Sequence, residues 1–107
     1  MEVTLYHEER EDIRIDIVAY FEGDILVIDG YDIGKTVSDY WGDSDYEYIL
    51  RIHASGVDQL YHHFGLPSDK SRLLKHLADQ FSGNRCFSEL ESLAGRLNLS
   101  HERFSWT

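Results

Sequence analysis

The sequence predicts an α+β fold: an antiparallel sheet drawn from residues 1–54, covered on one face by helices that predominate over residues 55–98. Apolar residues recur at period two up to His53 and at the helical period of 3.6 beyond it. Because the period changes once, strands precede helices and do not alternate with them, which points away from a parallel sheet. The length of 107 residues fits a single domain, 1–107, and 42% hydrophobic content can fill one core.

Val3 to His7 is the first candidate strand, with Glu8-Glu9-Arg10-Glu11 as its turn. In the second, Ile13, Ile15, Ile17, Ala19 and Phe21 alternate with Asp12, Arg14, Asp16, Val18 and Tyr20, so one face is apolar. Glu22-Gly23-Asp24 makes a compact turn, and Ile25-Leu26-Val27-Ile28 returns beside the second strand as the clearest hairpin in the chain. Tyr46, Tyr48, Leu50 and Ile52 alternate with Glu47, Ile49, Arg51 and His53, giving a sheet of about four strands.

Val57, Leu60, Tyr61 and Phe64 then fall on one helical stripe, with Ser55 as its cap and Gly65 at its end. Leu73, Leu74, Leu77, Ala78 and Phe81 mark a second helix, preceded by Ser68-Asp69 and stopped by Gly83-Asn84. Leu90, Leu93, Ala94 and Leu97 mark a third, for which Ser88-Glu89-Leu90-Glu91 reads as a capping box. The closing Arg103-Phe104-Ser105-Trp106-Thr107 either adds a short strand or lays its rings over the core. On the face away from the helices, Tyr20, Tyr46 and Tyr48 are expected to form a partly wet aromatic surface with the acids, although a register slip of one residue would invert it.

Charge is uneven along the chain. Residues 1–50 hold 14 acids and 3 bases, a net of −11, whereas residues 51–107 hold 6 acids and 7 bases, a net of +1. That field repels phosphate backbones and anionic lipid, so neither nucleic acid nor membrane is an expected partner, and a basic protein is. No run approaches the roughly 20 apolar residues of a membrane span, and no basic leader precedes an apolar stretch. One cysteine, Cys86, forms no internal disulfide and suits a reducing cytoplasm.

Several motifs fail on geometry. Asp29-Gly30-Tyr31-Asp32-Ile33-Gly34-Lys35-Thr36 ends like a phosphate-binding loop, but only three residues separate its glycines where four are required, so Gly30 and Gly34 read as turn glycines. Asp39, Asp43, Asp45 and Glu47 are hard oxygen ligands, yet a calcium loop begun at Asp43 would need glycine at Tyr48 and glutamate near Ala54. His62, His63 and His76 lack a paired spacing, since adjacent helical residues point about 100 degrees apart. No metal or other cofactor is therefore expected. Cys86 sits beside Arg85 at a helix start, where a thiolate is favoured, but beside Phe87 it reads as a small buried residue.

The run from Gly34 to Tyr48, with Tyr40-Trp41-Gly42-Asp43-Ser44-Asp45-Tyr46-Glu47-Tyr48 at its centre, resembles the central motif of a widespread family of small uncharacterised bacterial proteins. The terminal Phe104-Ser105-Trp106 is similar to the aromatic-Ser-Trp ending of that family. The resemblance implies a bacterial, stand-alone single domain and carries no activity, cofactor or catalytic residue with it.

The functional expectation is a non-enzymatic interaction module whose carboxylates Asp39, Asp43, Asp45 and Glu47 steer a basic partner, while Tyr40, Trp41, Tyr46 and Tyr48 supply apolar contact. An inhibitor or immunity-like protein is the concrete version. The competing expectation is a small metal-dependent enzyme using the same carboxylates with a nearby histidine. Convergence in a pocket favours the enzyme, and dispersal over a surface favours binding.

Overall fold

The computed structural model describes residues 1–34 and 45–106. Its elements run β1 (Glu2–Arg10), β2 (Ile13–Glu22), β3 (Ile25–Gly34), β4 (Asp45–Ile52), α1 (Ala54–Phe64), α2 (Lys70–Gln80), α3 (Cys86–Arg96) and β5 (His101–Trp106). The strands form one antiparallel five-stranded sheet in chain order. The fold is α+β, and the aromatic C-terminal segment is its fifth strand.

Period-two alternation decides which side chains meet the helices. Ala19, Ile28 and Leu50 are cross-strand neighbours in one row, and Phe21, Leu26 and Ile52 in the next. These residues and Ile17 face α1, α2 and α3, whose Val57, Leu60, Leu73, Leu74, Leu77, Leu90 and Leu93 complete one buried cluster. Burial falls off toward the other end of the strands, where Ile15, Asp32 and Tyr46 are half-buried. No helix of the described residues is long and apolar enough to cross a membrane.

Four local readings are corrected. β1 continues to Arg10, where an Arg10–Glu8 ion pair forms, so Glu11-Asp12 alone makes the turn. β3 runs on to Gly34, and Gly30 is a strand residue paired with Ile17 and Tyr48. Its glycine is required by close approach, because a Cβ there would overlap the Tyr48 ring. Ser55 lies inside α1, because the His53 carbonyl already accepts the Val57 N–H at 2.9 Å. Ser88 lies inside α3 for a similar reason: buried Cys86 and Phe87 belong to the helix, and the Arg85 carbonyl accepts the Glu89 N–H at 2.9 Å.

Two helix ends follow the sequence. Asp69 caps α2 by accepting the N–H groups of Ser71 (3.0 Å) and Arg72 (3.3 Å), and the Ser71 hydroxyl at 2.7 Å first, then these N–H groups, hold its carboxyl below the usual range. Gly65 ends α1 at φ +67°, and the following Leu66 N–H returns to the Tyr61 carbonyl at 2.8 Å.

Candidate functional site

The second face of the sheet is built by the alternate residues of the same strands. Among the described residues no helix covers it. Its central row runs Thr4, Val18, Asp29, Ile49, Phe104, and the next runs His7, Asp16, Tyr31, Glu47, Trp106. A third row, Tyr20, Val27, Arg51, Glu102, closes it toward the helical end. Phe104 is 43% exposed and Trp106 49% exposed, the two largest apolar side chains that the described sheet leaves in solvent.

The charges on this face divide into paired and unpaired sets. Arg51 donates to Glu22 at 3.0 Å, Arg14 donates to Asp16 at 2.9 Å, and His53 lies 2.8 Å from Glu102. His7 sits 2.6 Å from Asp16 on its other side. Those two contacts, the His7 one first, hold the Asp16 carboxyl below its ordinary range against the opposing effect of burial. Tyr31 donates to Asp45 at 2.5 Å. Asp29 and Glu47 have no cation partner among the described residues.

Asp29 is the most perturbed carboxyl of the face. It follows four apolar residues of β3 and is half-buried between Val18 and Ile49, and its Oδ1 is shielded from solvent with no hydrogen-bond partner. Burial pushes its carboxyl up to about 7, helped by a proton shared with Glu47 and by the charges of Glu47 and Glu2. In the sequence Asp29 only opens the segment rejected as a phosphate-binding loop, and no role is assigned to it there. An isolated acid ending the apolar run Ile25-Leu26-Val27-Ile28 was the available signal.

Of the residues expected to bind, Asp45 and Glu47 lie on the open face. Tyr46 and Tyr48 do not: they share the helix-side face with Leu50 and Ile52, whereas Tyr20 is on the open side, so the three tyrosines do not form one surface. The cause is the single-residue alternation of β4. Tyr48 packs edge-on against Phe87 of α3 with ring centroids 4.7 Å apart and donates to Asp32 at 2.7 Å. Tyr46 tilts against Tyr48 at 5.5 Å. Asp39, Tyr40, Trp41 and Asp43 lie outside the described residues. Among the described residues, the aromatic groups that accompany Asp45 and Glu47 are Tyr31, Phe104 and Trp106.

The other chemical candidates are separate from this surface. Cys86 is fully buried at the start of α3, and burial pushes its thiol up to about 11, away from the thiolate. His62 and His63 are exposed on α1, while the His76 ring packs 4.4 Å from Phe64. Among the described residues no group of three or more His, Cys, Asp or Glu is placed to hold a metal ion. Comparison with protein-family models, curated proteins and solved structures finds no match.

Proposed function

We propose that the chain is a docking module whose open sheet face binds a basic protein. The observation that carries this reading is the coincidence, on one face that no described helix covers, of exposed Phe104 and Trp106 with Asp29 and Glu47, which lack cation partners among the described residues. Apolar rings supply contact area after encounter, and unpaired carboxylates steer a cationic surface toward them. The distribution of charge supports the same orientation, since the strand half of the chain carries a net of −11. The described carboxylates of the expected metal set, Asp45 and Glu47, spread along a strand surface, which supports binding over metal chemistry.

An inhibitor or immunity-like protein of a bacterial cytoplasm is the version we favour. A small acidic protein can occupy the basic surface with which a nuclease would grip its substrate. Capture of the partner, followed by association kinetics at low and high salt, tests the reading. Replacing Asp45 and Glu47 with amides is expected to slow association and flatten its salt dependence, because exposed charges are screened over about 10 Å at 0.1 M salt. A partner that is itself acidic, or association indifferent to salt, would overturn it.

A further inference from the structure

We infer that the outer edge of β5 is an interface between two copies of this chain, which pair antiparallel about a two-fold axis at Phe104 and join their sheets into one. The inference is independent of the docking reading, because pairing uses the backbone edge of the strand and docking uses its face. β5 borders the sheet and has β4 as its one strand partner among the described residues. The His53 N–H donates to the Ser100 carbonyl at 2.9 Å, which makes His53 and Ser100 a hydrogen-bonded pair of the ladder that continues from Ile52↔His101. Antiparallel ladders alternate such pairs with pairs that exchange no hydrogen bond. Glu102, Phe104 and Trp106 therefore direct their backbone groups to β4, whereas the N–H and C=O groups of His101, Arg103 and Ser105 point out of the sheet.

The two edges of the sheet differ in how they treat a neighbour. β1 breaks its register between Thr4 and Tyr6 and carries Glu2, Glu8 and Glu9, and irregularity and charge are the means by which edges resist pairing. β5 keeps one unbroken register from Ile52↔His101 to Glu47↔Trp106. Its Glu102 and Arg103 are engaged within the chain, at 2.8 Å from His53 and 3.1 Å from Glu91. Between them and Trp106 stands Phe104, 43% exposed.

Symmetry fixes the register. A two-fold axis normal to the sheet keeps side chains of both copies on matching faces only when a residue meets its own equivalent, and two such centres pair five of the six strand residues. Centring on Arg103 would set two guanidinium groups against each other. Centring on Phe104 brings the two phenyl rings together in a pair without hydrogen bonds, where side chains lie closest, and places Glu102 opposite Trp106 of the second copy. Arg103 and Ser105 then exchange N–H and C=O with Ser105 and Arg103 of the second copy, so the outward groups of both edges are satisfied together.

The test is sedimentation equilibrium of the intact protein between about 10 µM and about 1 mM. A seam of five residues buries less than the roughly 1,600 Å² of a standard interface, so dimerisation with a dissociation constant of about 0.1 mM is expected. Each copy carries a net charge of −10, so raising salt from about 0.05 M to about 0.5 M should tighten the dimer about threefold, the opposite of docking to a basic partner. Ser105→Pro removes an outward N–H and no bond to β4, and should weaken the dimer at least about tenfold with the circular dichroism of the fold retained. Phe104→Lys and Phe104→Glu should each weaken it about tenfold, since like charges then meet at the axis, and an equimolar mixture of the two should restore it. Around the Arg103 centre Phe104 would face Glu102, and Phe104→Lys would tighten the dimer instead. A chain that stays monomeric to about 1 mM, a dimer indifferent to Ser105→Pro, or a mixture no tighter than its parts would overturn the inference and leave the docking reading untouched.

Discussion

Asp32 and Asp29 stand three residues apart on β3 and face opposite sides of the sheet. On the helix side, Asp32 accepts the Tyr48 hydroxyl at 2.7 Å; burial raises its carboxyl, and that hydrogen bond pulls it partly back. On the open side, Asp29 meets burial and a second carboxyl together, both of which raise it, while its Oδ1 has no donor. One face has therefore given its half-buried acid a hydroxyl donor, whereas on the other one carboxyl oxygen has no donor among the described residues. The same division holds for large apolar groups. Leu50 and Ile52 are enclosed by helices, whereas Phe104 and Trp106 stand in solvent.

The sharpest way to break this contrast is to truncate a large side chain on each face, beginning with the enclosed one. Leu50→Ala, at a fully buried position, is expected to cost about 2–5 kcal/mol by urea denaturation. An effect below 1 kcal/mol would mean that the helices do not seal this face.

Asp29→Asn is expected to act in the opposite direction. In the folded protein Asp29 keeps its proton to about 7, whereas in the unfolded chain it ionises near the ordinary carboxylate value. Its contribution to stability is thus fully present below about pH 4 and is lost as pH rises toward 7, with a constant penalty above. Removing the ionisable group should raise stability at pH 8 by about 1–3 kcal/mol, a range discounted for partial solvent access, and should leave it unchanged near pH 4. Denaturation curves at the two pH values check this, and equal effects at both would dissolve the difference between Asp29 and Asp32.

Tyr48→Phe should make Asp32 resemble Asp29. Loss of the hydroxyl leaves that carboxyl without its donor, at a cost of about 1–2 kcal/mol, and drives its pKa further up. Carbon-detected NMR titration of the Asp32 carboxyl would show the shift. The smallest expected effect on folding is that of Trp106→Ala, because surface truncations usually stay within about 0.5 kcal/mol. Under the proposed docking function it should nonetheless speed dissociation of a basic partner, and a loss of stability comparable to that of Leu50→Ala would show that the ring serves the fold.

Local chemistry made the architecture readable. Strict alternation over Ile13–Phe21 and the stripes of Leu60, Leu74 and Leu90 each declare a period, and Asp69 declares a cap through the reach of its own carboxylate. Helix starts were less legible where no side chain caps them, as at His53 and Arg85, since a backbone carbonyl begins those helices and every residue has one. The strand character of Asp29–Gly34 was hidden because its two aspartates and two glycines resemble a turn, while the pairing that holds it comes from β2 and β4.

Sequence by itself determined the order of the first four strands and the three helices, the acidity of the first half and the presence of aromatic residues near the C-terminus. The faces were decided only by tertiary structure. A strand sends successive side chains to opposite sides, so Glu47 and Tyr48 separate by one bond of backbone, and which of them meets the helices depends on register with strands far away in sequence. For the same reason Trp106 and Tyr31, 75 positions apart, come to flank Glu47. Proximity across a sheet is set by hydrogen-bonded pairing between distant segments, which no local pattern of residues encodes.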